Sequence, residues 1–226
     1  MRGIPYGRVY DELLKAGGRQ GWWPGRTRLE VMVGAVLTQN TAWRNVEKAI
    51  GNLRARGWLK LEALHGADVV DLAEAIRPSG YFNVKAGRLR ALTTYVMEEH
   101  GGSLNLMFGM ETGRLREELL GIRGIGPETA DSILLYAGRH PVFVIDAYTR
   151  RFMVRHGWAE GKESYDDLAA GFAEAFAGMK GKERVEVFNE FHALIVWLAK
   201  AHCRTKPCCG GCPLEAMLPR SGRRGA

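Results

Sequence analysis

Three glycines spaced through Leu119-Leu120-Gly121-Ile122-Arg123-Gly124-Ile125-Gly126-Pro127 constrain this chain more than any other stretch. They let the backbone turn tightly while Ile122 and Ile125, placed between them, anchor the turn inward. Pro127 suits the first position of a new helix, because the N–H it lacks has no intrahelical partner there, and Ile133 and Leu134 continue an apolar face. With a helix over Glu111 to Leu120 before it, the stretch is a helix-hairpin-helix pattern. The free N–H groups at the start of its second helix form a seat for a phosphate. A buried-looking, strand-like run, Pro141 to Ile145, follows and ends in Asp146. No alternating run is long enough for a sheet, so the expected fold class is all-α.

The chain has 226 residues and is 46% hydrophobic, enough to bury a real core in one large or two closely joined domains. Its net charge of +7 favours an anionic partner, though so spread an excess also suits a merely soluble surface. No segment approaches the ~20 apolar residues that span a bilayer, and the first residues hold no apolar run of signal-peptide length, so a cytoplasmic protein without a membrane partner is expected. All four cysteines, Cys203, Cys208, Cys209 and Cys212, fall within ten residues. That crowding suits metal ligation better than a disulfide framework.

Helical spacing predicts a first helix over Val9 to Ala16, a buried one over Leu29 to Leu37 opened by the capping-box spacing Thr27-Arg28-Leu29-Glu30, and one after Trp43. Further helices are expected over Ala67 to Ile76, after a cap at Asn83, and over Ala147 to Arg155, Ser164 to Ala177 and Glu183 to Lys200. Trp22 and Trp23 are adjacent, and neighbours in sequence do not share a helix face. One ring can line a cleft, or the pair can staple the amino-terminal arm to the core. The polar turn Thr38-Gln39-Asn40-Thr41 leaves the buried helix abruptly; capping explains Asn40 and Thr41, but Gln39 has no local role. Lys85, Arg88 and Arg90 make one helix start basic, which serves a phosphate or simply a solvated face. The six histidines form no His-x-x-x-His pair and read as capping or interfacial.

Taken together, Leu37-Thr38-Gln39-Asn40-Thr41, the hairpin, Val144-Ile145-Asp146 and the terminal cysteines resemble the endonuclease III-like superfamily of helix-hairpin-helix (HhH-GPD) DNA glycosylases, over about residues 22 to 213. The resemblance implies two helical domains with DNA bound in the groove between them and a damaged base flipped out of the duplex. The domains are expected over 25–140, with the hairpin at 113–137, and over 1–24 plus 141–226. It also implies a catalytic role for Asp146, whose carboxylate can stabilise the positive charge that builds on the sugar. An Asp there would equally cap the helix starting at Ala147. Members of the superfamily that also cut the backbone carry a lysine where Glu128 stands, and a glutamate cannot form their Schiff base. The expectation is therefore a monofunctional enzyme with Asp146 and Glu128 at its catalytic centre.

Trp22-Trp23-Pro24, Gly34 to Thr41, Arg77 to Gly80 and Gly124 to Asp131 look most like the bacterial 3-methyladenine glycosylase III branch. That resemblance implies a base pocket of Trp22, Trp23, Pro24 and Trp43, suited by stacking and cation–π attraction to an alkylated, cationic purine. DNA contacts are expected from Gln39, which would fill the gap of the flipped nucleotide, and from Asn40, Gly124, Ile125, Gly126, Thr129, Lys85 and Arg88. The partner is double-stranded DNA with a damaged base, met by a monomer in the nucleoid. The family's cluster loop implies a [4Fe–4S] centre in 203–212. Cys203, Cys209 and Cys212 match its first three ligand positions, the fourth falls near Met217-Leu218, and Cys208 is the spare; zinc is the alternative metal. A monovalent cation at the hairpin is a further implied group. Two other functions stay open: an endonuclease III-like glycosylase and AP lyase acting on oxidised pyrimidines or abasic sites, and a non-catalytic DNA-binding module.

Overall fold

The computed structural model describes residues 3–23 and 25–219, and every regular element among them is helical. The chain forms two compact units, one from Trp23 to His140 and the other assembled from the segments before and after it. Helix α1 (Tyr6–Gly17) opens the chain. The unit from Trp23 holds α2 (Arg28–Leu37), α3 (Trp43–Ala55), α4 (Leu61–Gly66), α5 (Val69–Ala75), α6 (Phe82–His100), α7 (Leu104–Phe108), α8 (Thr112–Gly121) and α9 (Pro127–Ser132), which runs on into a wider π-helical turn, Ile133–Gly138. Then come α10 (Ala147–Arg155), α11 (Tyr165–Ala175) and α12 (Gly181–Ala201). No described helix is long and apolar enough to cross a membrane.

Helix α2 is the centre of the Trp23–His140 unit. Every residue from Leu29 to Leu37 is buried, as a helix apolar on all faces requires, and α3, α6, α9 and the π turn pack around it. The Thr27 hydroxyl accepts the Glu30 N–H at 3.2 Å. The expected capping box closes only halfway, because the buried Glu30 carboxylate pairs with Arg54 of α3 at 2.8 Å instead of returning to the cap. Asn83 is not the cap of α6. The turn Gly80-Tyr81, with both residues at positive φ, starts that helix at Phe82 and leaves Asn83 inside it.

In the other unit α12 is the long central helix, packed by α1 and α10. The run from Pro141 to Asp146 is extended but pairs with no strand. Phe143 holds it down: its ring stacks on Phe172 at 3.6 Å and meets Phe188 and Phe191 edge-on, while the Ile145 N–H donates to the Tyr165 hydroxyl at 3.2 Å. Aromatic packing of this kind buries a short apolar run as fully as a sheet would.

Candidate active site

Asp146 ends the Phe143-anchored run and begins α10. Its backbone is extended, and Oδ1 accepts the Thr149 N–H at 2.7 Å, so the residue does cap the helix. The cap uses one oxygen. The other, Oδ2, lies 3.5 Å from Nε2 of His192 on α12, and both side chains are largely buried. Burial pushes the Asp146 carboxyl up, but the opposing pull of His192 and the Thr149 hydrogen bonds is greater in sum, and the net direction is down. The group is therefore a carboxylate at neutral pH. His192 escaped the sequence reading because no ligand-type spacing involves it. A signal was present, since it interrupts the apolar series Phe188, Ile195, Ala199 on one helix face.

In the Trp23–His140 unit the hairpin is locked from both sides. Arg116 of α8 makes a two-pronged contact with the buried Asp131 of α9, at 2.7 and 3.3 Å, which sets the two helices against each other. In the turn, Gly124 sits at φ +88°, and a Cβ there would lie 2.6 Å from the Arg88 side chain. Gln39 reaches across from the end of α2. Its amide nitrogen donates to the Gly124 carbonyl at 3.2 Å and to the Thr129 hydroxyl at 2.9 Å, and its amide oxygen accepts from Arg88. Gln39, Arg88, Gly124 and Thr129 thus converge, a meeting that no local pattern announced. Gly126 caps α9 from an exposed position, Glu128 is exposed in the first turn after it, and Asn40 holds a left-handed conformation at the exposed tip of the α2–α3 turn. Ile125 is buried, so its side chain anchors the turn and only its backbone is available to a ligand.

Lys85 corrects the expectation of a phosphate contact. It is 1% exposed, and its Nζ donates to the Leu37 carbonyl at 2.8 Å and to the Thr41 hydroxyl and Ser79 carbonyl at 2.7 Å. Arg90 turns the same way and caps the end of α4 through the carbonyls of His65 and Ala67. The basic start of α6 is therefore largely spent on holding protein carbonyls.

The two indoles part company. Trp23 meets Trp43 edge-on at 5.3 Å and the tilted ring of Tyr136, on the π turn, at 4.8 Å. All three rings are half-buried, and Gly34 of α2 lies beside them; a Cβ there would come within 3.4 Å of Trp23 Nε1 and 3.7 Å of Trp43. Tyr136 was missed because it reads as an ordinary residue of an apolar helix. Trp22 packs on α12, with Lys200 Nζ 5.5 Å from its ring. Pro24 lies outside the described residues.

Residues 33–177 match the family described as HhH-GPD superfamily base excision DNA repair protein. The chain is 44% identical, over 92% of its own length and 93% of the relative's, to the DNA repair glycosylase homologue MJ1434 of Methanocaldococcus jannaschii. The chain belongs to the HhH-GPD superfamily. It is 28% identical to endonuclease III of Sulfolobus acidocaldarius, over 84% of this chain and 82% of that one. Among solved structures, H. pylori 3-methyladenine DNA glycosylase (MagIII) bound to 1,N6-ethenoadenine is 30% identical, covers 86% of this chain and 96% of its own, and gives a TM-score of 0.71. An endonuclease III–DNA complex shares the fold at 19% identity, with a TM-score of 0.77 over 98% of both chains.

The HhH-GPD chain carries its cysteines around a small cavity of about 20 Å³, walled by all four of them together with Arg155, His156, His202 and Leu218. Arg155 donates to Cys203 Sγ at 3.3 Å and to the carbonyls of Arg204 and Thr205, so the guanidinium ties the loop to α10. Burial pushes the Cys212 thiol up against a backbone hydrogen bond at Leu214, and the charges of Cys209 and Cys203 add to the rise. Among the described residues no three His, Cys, Asp or Glu side chains are grouped to hold a metal ion. Thiolates are the donor type that an iron–sulfur cluster or a zinc ion takes, so the four cysteines are the residues that would hold either. Leu218 takes part in the wall, and Cys208 stands on it as well.

Proposed function

We propose that the protein is a monofunctional DNA glycosylase that removes alkylated purines, such as 3-methyladenine, from double-stranded DNA. The observation that carries this reading is the half-buried group Trp23, Trp43 and Tyr136 beside Gly34. Electron-rich faces attract a cationic base, and a cationic base is already a good leaving group, so little acid catalysis is needed at the base itself. Similarity to the H. pylori 3-methyladenine enzyme supports the substrate class. The lowered pKa of Asp146 supports its part: an ionised carboxylate stabilises the sugar cation as the N-glycosidic bond breaks and orients or deprotonates the attacking water. The exposed backbone at Gly124 and Gly126, the Thr129–Gln39–Arg88 contacts and the +7 charge suit the phosphate backbone of a duplex, with Gln39 released from the hairpin to fill the gap of the flipped nucleotide. Its amide can both donate to and accept from an orphaned base.

Glu128 at the start of α9 supports base removal without strand cleavage, because a carboxylate cannot form the Schiff base of a lyase. Cys203, Cys208, Cys209 and Cys212 are the residues that would hold a [4Fe–4S] cluster, whose contribution is to order the loop tied to Arg155. The backbone carbonyls of the hairpin are the donor type for a monovalent cation. We place the enzyme, as a monomer, in the cytoplasm at the nucleoid. Duplexes carrying 3-methyladenine or thymine glycol test the reading when incubated with wild type and Asp146→Asn, with borohydride present in parallel and the iron content of the preparation measured. Release of the alkylated purine by wild type, its fall by about a hundredfold or more in Asp146→Asn, and no covalent trapping are expected. Efficient trapping, or release of thymine glycol in preference, would establish the endonuclease III-like alternative.

A further inference from the structure

The two oxygens of Asp146 have different partners, and only one of them belongs to the helix it caps. Oδ1 is held by the Thr149 N–H, while Oδ2 faces the imidazole of His192 at 3.5 Å. A carboxylate fixed through one oxygen can still turn about its last bond, and burial favours its protonation; neither is compatible with meeting a sugar cation. We propose that His192 is a positioning residue for Asp146, holding Oδ2 in the plane and the charge state that base removal requires. The inference rests on the reading of Asp146 as the catalytic carboxylate.

The surroundings of His192 are built for a fixed ring. Its side chain is 6% exposed, and Phe143 meets it edge-on at 6.3 Å. Phe143 and Asp146, three residues apart on one extended run, thus grip the same imidazole, and Phe143 is itself stacked on Phe172. Two other polar groups of these elements have partners of their own. Glu190, two residues earlier on α12, takes the backbone N–H groups of Gln20 and Gly21, and the Tyr165 hydroxyl of α11 accepts from Ile145 N–H. From α10 the Asp146 side chain receives Thr149, and from α12 it receives His192. A 3.5 Å separation is at the outer limit of a hydrogen bond, so the imidazole steers Oδ2 less tightly than the Thr149 N–H holds Oδ1 at 2.7 Å.

A purely packing histidine would affect stability and leave Asp146 as it is. The distinguishing measurements are therefore the titration of the Asp146 carboxyl by carbon-13 NMR in the free protein, and single-turnover release of 3-methyladenine set beside affinity for the same duplex. In His192→Leu the Asp146 titration is expected to move to higher pH and the single-turnover rate to fall about tenfold to a hundredfold, with duplex affinity within about twofold of wild type. His192→Gln, which keeps an N–H donor, is expected to recover part of the rate. If His192→Leu does not fold, His192→Phe, a ring without nitrogen, carries the same test. An Asp146 titration that does not move, or a rate within about twofold of wild type in a folded variant, overturns the proposal. A wild-type protein that releases no base refutes the proposed function instead, and the NMR titration still decides whether His192 governs Asp146.

Discussion

Lys85 shows how one side chain's direction can reverse its meaning. From its place on a basic helix start it reads as a contact to phosphate, yet its ammonium lies among the Leu37 carbonyl, the Ser79 carbonyl and the Thr41 hydroxyl. The Leu37 carbonyl belongs to the last turn of α2, the negative end of that helix, so the cation is well placed there despite its burial. The contacts fasten the turn that carries Gln39. Burial, with Arg88 nearby, pulls the Lys85 pKa down from 10.5 to about 8, so the amine stays charged at neutral pH. The unfolded chain then binds more protons than the folded one between those values. The contribution to stability is complete above 10.5 and is lost as pH falls through about 8. Lys85→Met should remove that rise, and at pH 7 it should lower stability by about 1–3 kcal/mol, because the Leu37 carbonyl is left buried without its donor. Urea unfolding at pH 7, 8.5 and 10 checks both parts; a variant as stable as wild type at pH 7 would show that the amine is not needed for the turn. No sequence pattern distinguishes an inward lysine from an outward one on the first turn of a helix, since both lie one residue from an apolar position.

Three glycines in the hairpin look equivalent in the sequence, and as elements of the turn they are not. Gly124 alone among them takes positive φ, at +88°, and its missing Cβ leaves the space that Arg88 crosses to reach Gln39. Gly126, the N-cap, has an ordinary φ of −96° and nothing within 4 Å of where its Cβ would be. Gly124→Ala is thus expected to cost about 1–2 kcal/mol of strain and to displace Arg88, weakening duplex binding, whereas Gly126→Ala keeps the stability of wild type. Thermal melting of the two variants with and without duplex reads the contrast, and equal losses at the two positions would refute the assignment. The long elements were legible: α1, α2, α8, α10, α11 and α12 have apolar positions at helical spacing over two or more turns, and the cap Asp146 stands where the sequence puts it. α4 and α7, of six and five residues, are too short for a period to register. The run before Asp146 looked like a strand because periodicity cannot separate a paired strand from an apolar segment buried by rings such as Phe143.

At the scale of the chain, neither junction between the two units is marked by a Pro- or Ser-rich linker, and the division shows only in where side chains go. Trp22 joins α12 and Lys200, while Trp23 joins Trp43; His140 closes one unit and Pro141 opens the return to the other. The convergence of Gln39 with Thr129, and of Asp146 with His192, was illegible for the same reason, since each pair is brought together by packing between residues 90 and 46 positions apart in the chain. His140 turns this architecture into a measurable property. Its Nδ1 faces the Thr112 hydroxyl at 2.9 Å at the start of α8, and Gly138 is small because the His140 and Phe108 rings occupy the space a Cβ would need. Burial depresses the His140 pKa below its ordinary 6.5, outweighing the opposing Phe108 backbone hydrogen bond and Glu111 charge. The folded unit therefore holds the neutral ring. Its contribution to stability is complete above 6.5 and is lost as pH falls through the lower folded value, because the unfolded chain takes up the proton first. His156, in the other unit, is shifted the same way by burial, so substituting His140 alone removes part of the acid limb and leaves the rest. His140→Gln should accordingly melt at a temperature that depends less steeply on pH between 7 and 5 than wild type does. An unaltered slope in a folded variant would mean that the acid sensitivity of this protein resides outside the hairpin unit's buried ring.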